Sequence, residues 1–361
     1  MIAAILVLIA AISLLASLIP LLPFGHGMIR SFDFVRLQVI GISSFVILGT
    51  IMAGLNAQSV VIAAAMAACA LCIQVFHVVR FTPLWPVQTA RFEGNCEKTP
   101  MISVLVSNVK QGNRDYQRVI DLISACQPDI AVFMETDQAW ADALRPCLSK
   151  FRETIEQPQE DSYGMIFASQ LPLPERQVRF LLNDEVPSIS CVVQLPGGRV
   201  IRMIALHPEP PLPNRDTLGR DAEILVAAKL AREERLPVIV TGDLNDVAWS
   251  RTTRRFLRVS GLLDPRQGRG MFNSFDARYW FLRWPLDHIF HSQDFELVSI
   301  ERQKFVGSDH FPMFYRLALT AEDRNDRPPE PSGDDIKEAD AAITIEANRN
   351  RRPAGTDWED G

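Results

Sequence analysis

Gly242-Asp243-Leu244-Asn245 follows directly on the apolar run Pro237-Val238-Ile239-Val240-Thr241, and the reading of that junction decides the fold. A strand buried on both faces reads as a nearly continuous β-branched, apolar run, and here such a run ends on an aspartate. The arrangement recurs. Val104-Leu105-Val106-Ser107 delivers Asn108, and Ile130-Ala131-Val132-Phe133-Met134 delivers Glu135. Val200 to Leu206 leads to His207, and Phe305-Val306-Gly307-Ser308 to Asp309 and His310. Side chains at strand ends and in the loops beyond gather at one rim of a sheet. Asn, Glu, His, Asp, Asn, Asp and His converging there suit a hard cation and a phosphate.

Composition divides the 361 residues into regions. Residues 1–80 are overwhelmingly apolar. Residues 81–100, with Pro83, Pro86, Gly94 and Pro100, read as a linker, and 101–320 as a globular domain. Residues 321–361 read as a disordered charged tail too poor in apolar periodicity to offset chain entropy, with a transient helix at 341–347. The net charge of −6 is biased by that acidic tail. Arg251, Arg254, Arg255 and Arg258 recur at helical spacing and read as a solvated helix face, not a nucleic-acid groove. The six cysteines form no metal pattern, and a domain of this size needs no disulfide framework.

Three stretches, 2–22, 35–55 and 59–79, reach the ~20 residues needed to cross a bilayer as a helix. No Lys or Arg precedes the first, which disfavours a signal peptide. The loop after the first span carries Arg30 and borders Arg36, and Arg80, Arg91 and Lys98 follow the third. The positive-inside rule therefore puts the large domain on the cytoplasmic side. Gln74 and His77 are expected at headgroup level.

Within 101–320, helical spacing predicts a helix over 115–126, stopped by Gln127-Pro128-Asp129, and a second one capped by Thr136 or Asp137 and running to Leu148. Strands are predicted at 165–168, 189–195 and 200–206, the last two joined as a hairpin by Pro196-Gly197-Gly198. A long amphipathic helix covers 215–235, and strands follow at 286–291, 295–300 and 311–319. Hairpins mixed with helical crossovers predict an α/β fold of two sheets packed face to face, helices outside.

In order, Ser107-Asn108, Met134-Glu135, Leu206-His207, Gly242-Asp243-Leu244-Asn245, Leu286-Asp287-His288 and Ser308-Asp309-His310 resemble the endonuclease/exonuclease/phosphatase superfamily, over about 101–319. The apolar N-terminal block resembles that of bacterial membrane-anchored members, which implies a multi-pass inner-membrane protein. The resemblance implies a phosphoric ester hydrolase, a phosphodiesterase or phosphomonoesterase, using Mg2+ or, in its place, Mn2+. Glu135, Asn108 and Asp309 would serve the metal, which prefers oxygen ligands. Asp243 would accept a proton from the attacking water and Asn245 would hold that water or a phosphate oxygen. His310, oriented by Asp287, would contact the phosphate, and His207 would donate to a phosphoryl oxygen. His288 would point to the opposite face and serve structure. Apurinic endonucleases carry an acidic residue where Lys110 stands here, which favours a one-metal arrangement.

Singly, each residue has a plain reading: Asp243 or Asp309 as a turn or cap, Asn108 as a turn former, Glu135 as a helix N-terminal acid. Their joint occurrence carries the argument. The substrate is left between a lipid headgroup and nucleic acid, the alternative being an endonuclease or exonuclease on DNA or RNA. The aromatic stretches Met271 to Phe275 and Tyr279 to Trp284 bear on that choice, by stacking bases or by dipping into headgroups, unless they only pack a long loop.

Overall fold

The computed structural model describes residues 2–54, 57–320 and 324–356, and the chain forms two compact units. One comprises Met1–Pro86 with Pro211–Thr217, the other Val87–Pro210 with Leu218–Gly361.

The first unit contains α1 (Ile2–Leu18), α2 (Gly27–Phe34), α3 (Arg36–Ala53) and α4 (Gln58–Val78). With short 3-10 extensions, Ile2–Leu21, Arg36–Ala53 and Gln58–Phe81 are each long and apolar enough to span a bilayer. These match the three predicted spans; Leu55 and Asn56, at the expected end of the second, lie outside the described residues. Ala10, Ala63 and Ala67 pack with Leu6 and Val46, small side chains letting the helix backbones approach. Arg36 is fully buried. It donates to Asp33 Oδ1 at 2.6 Å and to Gln74 Oε1 at 2.8 Å, and Gln74 Nε2 donates to Ser17 Oγ at 2.9 Å. Gln74 thus ties helices together, because a guanidinium in apolar surroundings must find partners. Pro211–Thr217 runs beside Gly25 to Gly27: Gly27 N donates to Arg215 O at 2.8 Å and Thr217 N to Gly25 O at 2.7 Å.

The second unit is a two-layer sandwich. One sheet has the order β10-β11-β1-β2-β4-β3 and the other β5-β6-β7-β8-β9. The strands are β1 (Met101–Asn108), β2 (Ile130–Met134), β3 (Glu153–Gln157), β4 (Met165–Ser169), β5 (Glu175–Phe180) and β6 (Pro187–Gln194). They continue with β7 (Val200–Leu206), β8 (Val238–Asp243), β9 (Asp287–His291), β10 (Phe295–Arg302) and β11 (Met313–Leu319). Side chains alternate across each strand. Val104 and Val106 of β1 enter the core between the sheets with Ile189, Met203 and Ile239, while Leu105 faces outward. There α5 (Tyr116–Cys126) and α6 (Gln138–Leu148) cover the first sheet, and α7 (Leu218–Glu233) and α8 (Arg251–Ser260) cover the second. Asp137 caps α6, its side chain accepting from Trp140 N.

The strands β3 and β5, absent from the predicted set, are the mostly polar or half-exposed ones, so they lack the apolar signature that betrays the others. Two regions read as unstructured are packed. Within 81–100, Thr89 Oγ1 meets His291 Nε2 at 3.0 Å, and Ala90 and Phe92 exchange backbone bonds with Leu297. Prolines and glycines there mark irregular backbone, not a free linker. In the tail, α9 (Gly333–Ala347) starts with a capping box from Ser332 and Asp335. It lies along α7 and α8 because charge complements charge: Arg258 grips Asp335 at 2.6 and 2.9 Å, and Arg251 reaches Glu338 at 2.7 Å. The arginine row on α8 is therefore an ion-paired docking face. Residues 321–323 and 357–361 of the expected tail lie outside the described residues.

Candidate active site

Each sheet has a parallel pair, β1 with β2 and β7 with β8, so both members of a pair end at one rim. The antiparallel neighbours β11 and β9 begin at that rim. Asn108 closes β1 and Glu135 follows β2, while His207 follows β7 and Asp243 closes β8. Asp287 opens β9 directly opposite Asp243, and Asp309 and His310 lead into β11. Gly242 makes the second pair close enough: its φ is +139°, and a Cβ there would fall 1.9 Å from Leu206 O. Only glycine allows β8 to lie so near β7 just before Asp243.

The side chains interlock. Asn108 Nδ2 donates to Glu135 Oε1 at 2.7 Å and to Asp243 Oδ2 at 3.0 Å. His310 is held between two carboxylates, its Nδ1 2.7 Å from Asp287 Oδ2 and its Nε2 3.4 Å from Asp243 Oδ2. His207 Nε2 lies 4.0 Å from the same Asp243 oxygen. Asn245, in the left-handed region at φ 51°, donates its backbone N–H to Asp243 Oδ1 at 2.9 Å and its amide to Pro208 O at 2.9 Å. Seven of the eight sequence-predicted residues therefore form one connected constellation. The eighth, Asp309, is turned to a cation: Lys110 Nζ lies 2.8 Å from its Oδ2 and Arg278 Nη2 lies 3.6 Å away.

Electrostatics divide the group. Burial pulls His310 down, but the carboxylates of Asp243 and Asp287 and the bond to Asp287 outweigh it, lifting its pKa to about 10. It is an imidazolium at neutral pH. His207 has no comparable support, and burial drops it to about 4 in spite of Asp243, so it is neutral. Burial raises Asp243, with His310 opposing. Burial also raises Glu135, to about 7, against the Asn108 hydrogen bond and with help from Asp309 and Asp243. A carboxylate so placed is short of positive charge.

Those oxygens fit a divalent cation. Asp243, Asp287 and His310 bring their ligand atoms within 4.8 Å of one another. That trio, however, already shares the charge of its own imidazolium, which would repel a metal ion. Glu135 offers two carboxylate oxygens and pairs with no Lys or Arg among the described residues, the environment a hard cation prefers. Asn108 turns its amide nitrogen to both carboxylates, so in this arrangement it orients them.

Other residues escaped the sequence reading. Arg266, fully buried, is bonded to both oxygens of Asp264 and lies 2.6 Å from His288 Nδ1, whose Nε2 meets Asp246 O at 2.8 Å. His288 is thus structural, as expected. Arg220 donates to Asn245 O at 2.9 Å, and Ser274 Oγ accepts from Asp287 N at 3.1 Å. An isolated Arg or Ser inside a loop or helix carries no pattern that would reveal such a role.

The Endonuclease/Exonuclease/phosphatase family model matches residues 105–310, more than half of the chain, and encloses every residue of this rim. The chain belongs to that family. Its members are metal-dependent hydrolases of phosphoester bonds, and this chain is such an enzyme. Among similar solved structures, the human nocturnin catalytic domain with bound sulfate is 17% identical with a TM-score of 0.51, covering 66% of this chain and 100% of that one. D. rerio TDP2 complexed with single strand DNA product is 14% identical with a TM-score of 0.51, covering 60% and 98%. The family member from Bacteroides vulgatus is 17% identical with a TM-score of 0.50, covering 61% and 99%. At such identities the likeness is one of fold. No curated relative matches the sequence.

Proposed function

We propose that the enzyme is a Mg2+-dependent phosphoric ester hydrolase anchored in the bacterial inner membrane by α1, α3 and α4, its catalytic unit on the cytoplasmic side. The observation that carries the chemistry is the double bridge across the rim, Asn108 between Glu135 and Asp243 and His310 between Asp243 and Asp287. Glu135 and Asp309 would hold the ion with Asn108 beside them; when bound, it draws charge from a phosphoryl oxygen. Asp243, raised toward working pH by burial, takes the proton of the attacking water. Asn245 holds that water or a phosphate oxygen. The imidazolium of His310, kept charged and oriented by Asp287, meets the negative charge that grows on the phosphate. Neutral His207 has an N–H to give to a phosphoryl oxygen, and its Nδ1 is buried without a partner among the described residues.

The anchoring reading draws on the three apolar helices, and the orientation on Arg80, Arg91 and Lys98 after the third. Arg30 and Arg36 count toward it less, being buried among their own helices. The second reading is a nuclease, supported by Tyr279, Trp280 and Phe281, which are exposed beside Arg278 and hence near Asp309. Assaying the purified protein on bis-p-nitrophenyl phosphate, phospholipid headgroups, single-stranded DNA and RNA separates them. Headgroup release from bilayers without nuclease activity supports the first reading; the reverse supports the second.

A further inference from the structure

The C-terminal segment beyond α9 returns to the rim of the active site. Arg351 makes a bidentate pair with Glu209, at 2.9 Å to Oε2 and 2.8 Å to Oε1, and the same guanidinium reaches Glu346 at the end of α9 at 2.5 Å. Ala354 N donates to Glu209 Oε2 at 3.0 Å, and the Ala354 carbonyl accepts from the Tyr163 hydroxyl. Asn183 Nδ2 bonds Arg351 O at 3.2 Å. Glu209 and Ala354 are both buried. Gly219 supplies the room, since a Cβ there would lie 2.0 Å from Arg351 Nη2 and 2.4 Å from Glu209 Oε1.

What the segment grips is informative. Glu209 stands two residues after His207, and between them the Pro208 carbonyl holds the Asn245 amide at 2.9 Å. Tyr163 lies against the His207 ring, centroids 5.9 Å apart. The tail therefore grips Glu209 directly and reaches the other end of the stretch through Tyr163, which lies against His207. We infer that Arg351 is a positioning residue for catalysis: through Glu209 it fixes the stretch that presents His207 and anchors Asn245, so the far C-terminus completes an active site whose other parts lie within 105–310. This rests on the catalytic roles given above to His207 and Asn245. The surroundings fit the need for a cation here. Buried Glu223 lies near Glu209 and Glu346, and burial, then those two carboxylates, drive its own carboxyl well above the usual range. Without Arg351, the one remaining hydrogen bond to the Glu209 carboxyl among the described residues is that from Ala354 N. A bidentate pair also holds direction, which a lysine cannot reproduce.

The test uses the full chain in detergent with Mg2+ and bis-p-nitrophenyl phosphate, beside hydrogen–deuterium exchange. Arg351→Ala should lower kcat by about tenfold or more, since small displacements of reacting groups cost that much. KM and the Mg2+ dependence should stay within about twofold of the unaltered enzyme, because this lesion touches neither Glu135 nor Asp309. Arg351→Lys should recover only part of the loss. The peptide containing Leu206 to Glu209 should exchange faster, while peptides from β3 and α6 stay unchanged. Unaltered kcat with unaltered exchange at 206–209 overturns the proposal, as does full recovery by lysine. Should Arg351→Ala unfold the whole chain, Glu209→Gln, which keeps the shape, carries the test with the same readouts, and unaltered kcat with unaltered exchange at 206–209 in that variant refutes the proposal. Where both variants fold, the Glu209→Gln, Arg351→Ala pair should be no worse than either alone, and additive losses refute it. An unaltered enzyme inactive on every phosphoester would count against the proposed function instead, leaving exchange at 206–209 to decide the role of Arg351 by itself.

Discussion

The two sheets bring different chemistry to the same rim. The first contributes Asn108, Glu135 and Asp309, all oxygen or amide groups, with Glu135 lifted to about 7 by burial and by neighbouring negative charge. The second contributes His207, Asp243, Asn245 and Asp287, a set built to hold or move protons. His310 enters from the first sheet and reaches across to both aspartates of the second. Each half has the same skeleton, a parallel pair ending where an antiparallel neighbour begins, so topology does not explain the difference. The residues at the strand ends do. On the proposed reading, one skeleton used twice serves as a cation-holding half and a proton-handling half, joined by Asn108 and His310.

That division can be broken experimentally. The largest effect should come from the first half. Removing the metal with EDTA should abolish hydrolysis, and Glu135→Gln, which removes charge but keeps shape, should nearly do so, with activity partly restored by raising Mg2+. Full activity in EDTA would show that the first sheet holds no essential ion. Next comes the second half: Asp243→Asn should lower kcat by at least ~10²-fold, as for loss of a positioned base, with the Mg2+ dependence unchanged. A shift in metal dependence instead would mean that Asp243 belongs with Glu135 and that the halves are not separate.

The link between them gives a smaller, sharper effect. If His310 acts only as an imidazolium held by Asp287, then His310→Ala should cost nearly as much as His310→Ala together with Asp287→Ala, because residues that share one role are non-additive. Independent, additive losses in kcat would give Asp287 a task of its own.

The rim was readable in the sequence because a buried strand announces itself by apolar β-branched runs and each functional residue sits just past one. Asp243 after Val238 to Thr241 and Glu135 after Ile130 to Met134 need no long-range information to be noticed. The partners that position them did need it. Lys110 on Asp309, Arg220 on Asn245 O and Ser274 on Asp287 N are contacts between segments distant in sequence. The same holds for what was taken as loose chain. Periodicity fails for α9 because its attachment is mainly ionic, and it fails for residues 88–92 because they pair with an edge of β10 as an isolated segment. The three long apolar helices were found to within a few residues, since length and apolarity are local properties, but the burial of Arg36 against Gln74 was not, since it depends on which helices meet.

The smallest expected effect concerns the asymmetry outside the sheets: the second is covered by α7 and α8, and these by α9, whose acidic first turn docks on the basic face of α8. Asp335 is the centre of that contact. The hydrogen bonds from Arg258, opposed by partial burial and helped by the Ser332 bonds, hold its carboxyl far below the usual carboxylate range. A carboxylate depressed in the folded state contributes stability above its unfolded pKa of about 3.9 and loses that contribution as pH falls through its folded value. Asp335→Asn should therefore cost about 1 kcal/mol near neutral pH, the scale of a well-formed, partly exposed ion pair. For a unit of this size that is a fall in melting temperature of about 2–4 °C. The gap between the unaltered and substituted proteins should hold from pH 8 to about 5 and close progressively below about 4, where the carboxylate of the unaltered protein begins to lose its advantage. Melting curves of the two across that range, read by circular dichroism, check the sign: a gap that widens on acidification would mean that folding raises the Asp335 carboxyl instead of lowering it, and no gap at any pH would mean that α9 is held by its apolar contacts at Ile336 and Ala339, with Asp335 contributing nothing to the docking.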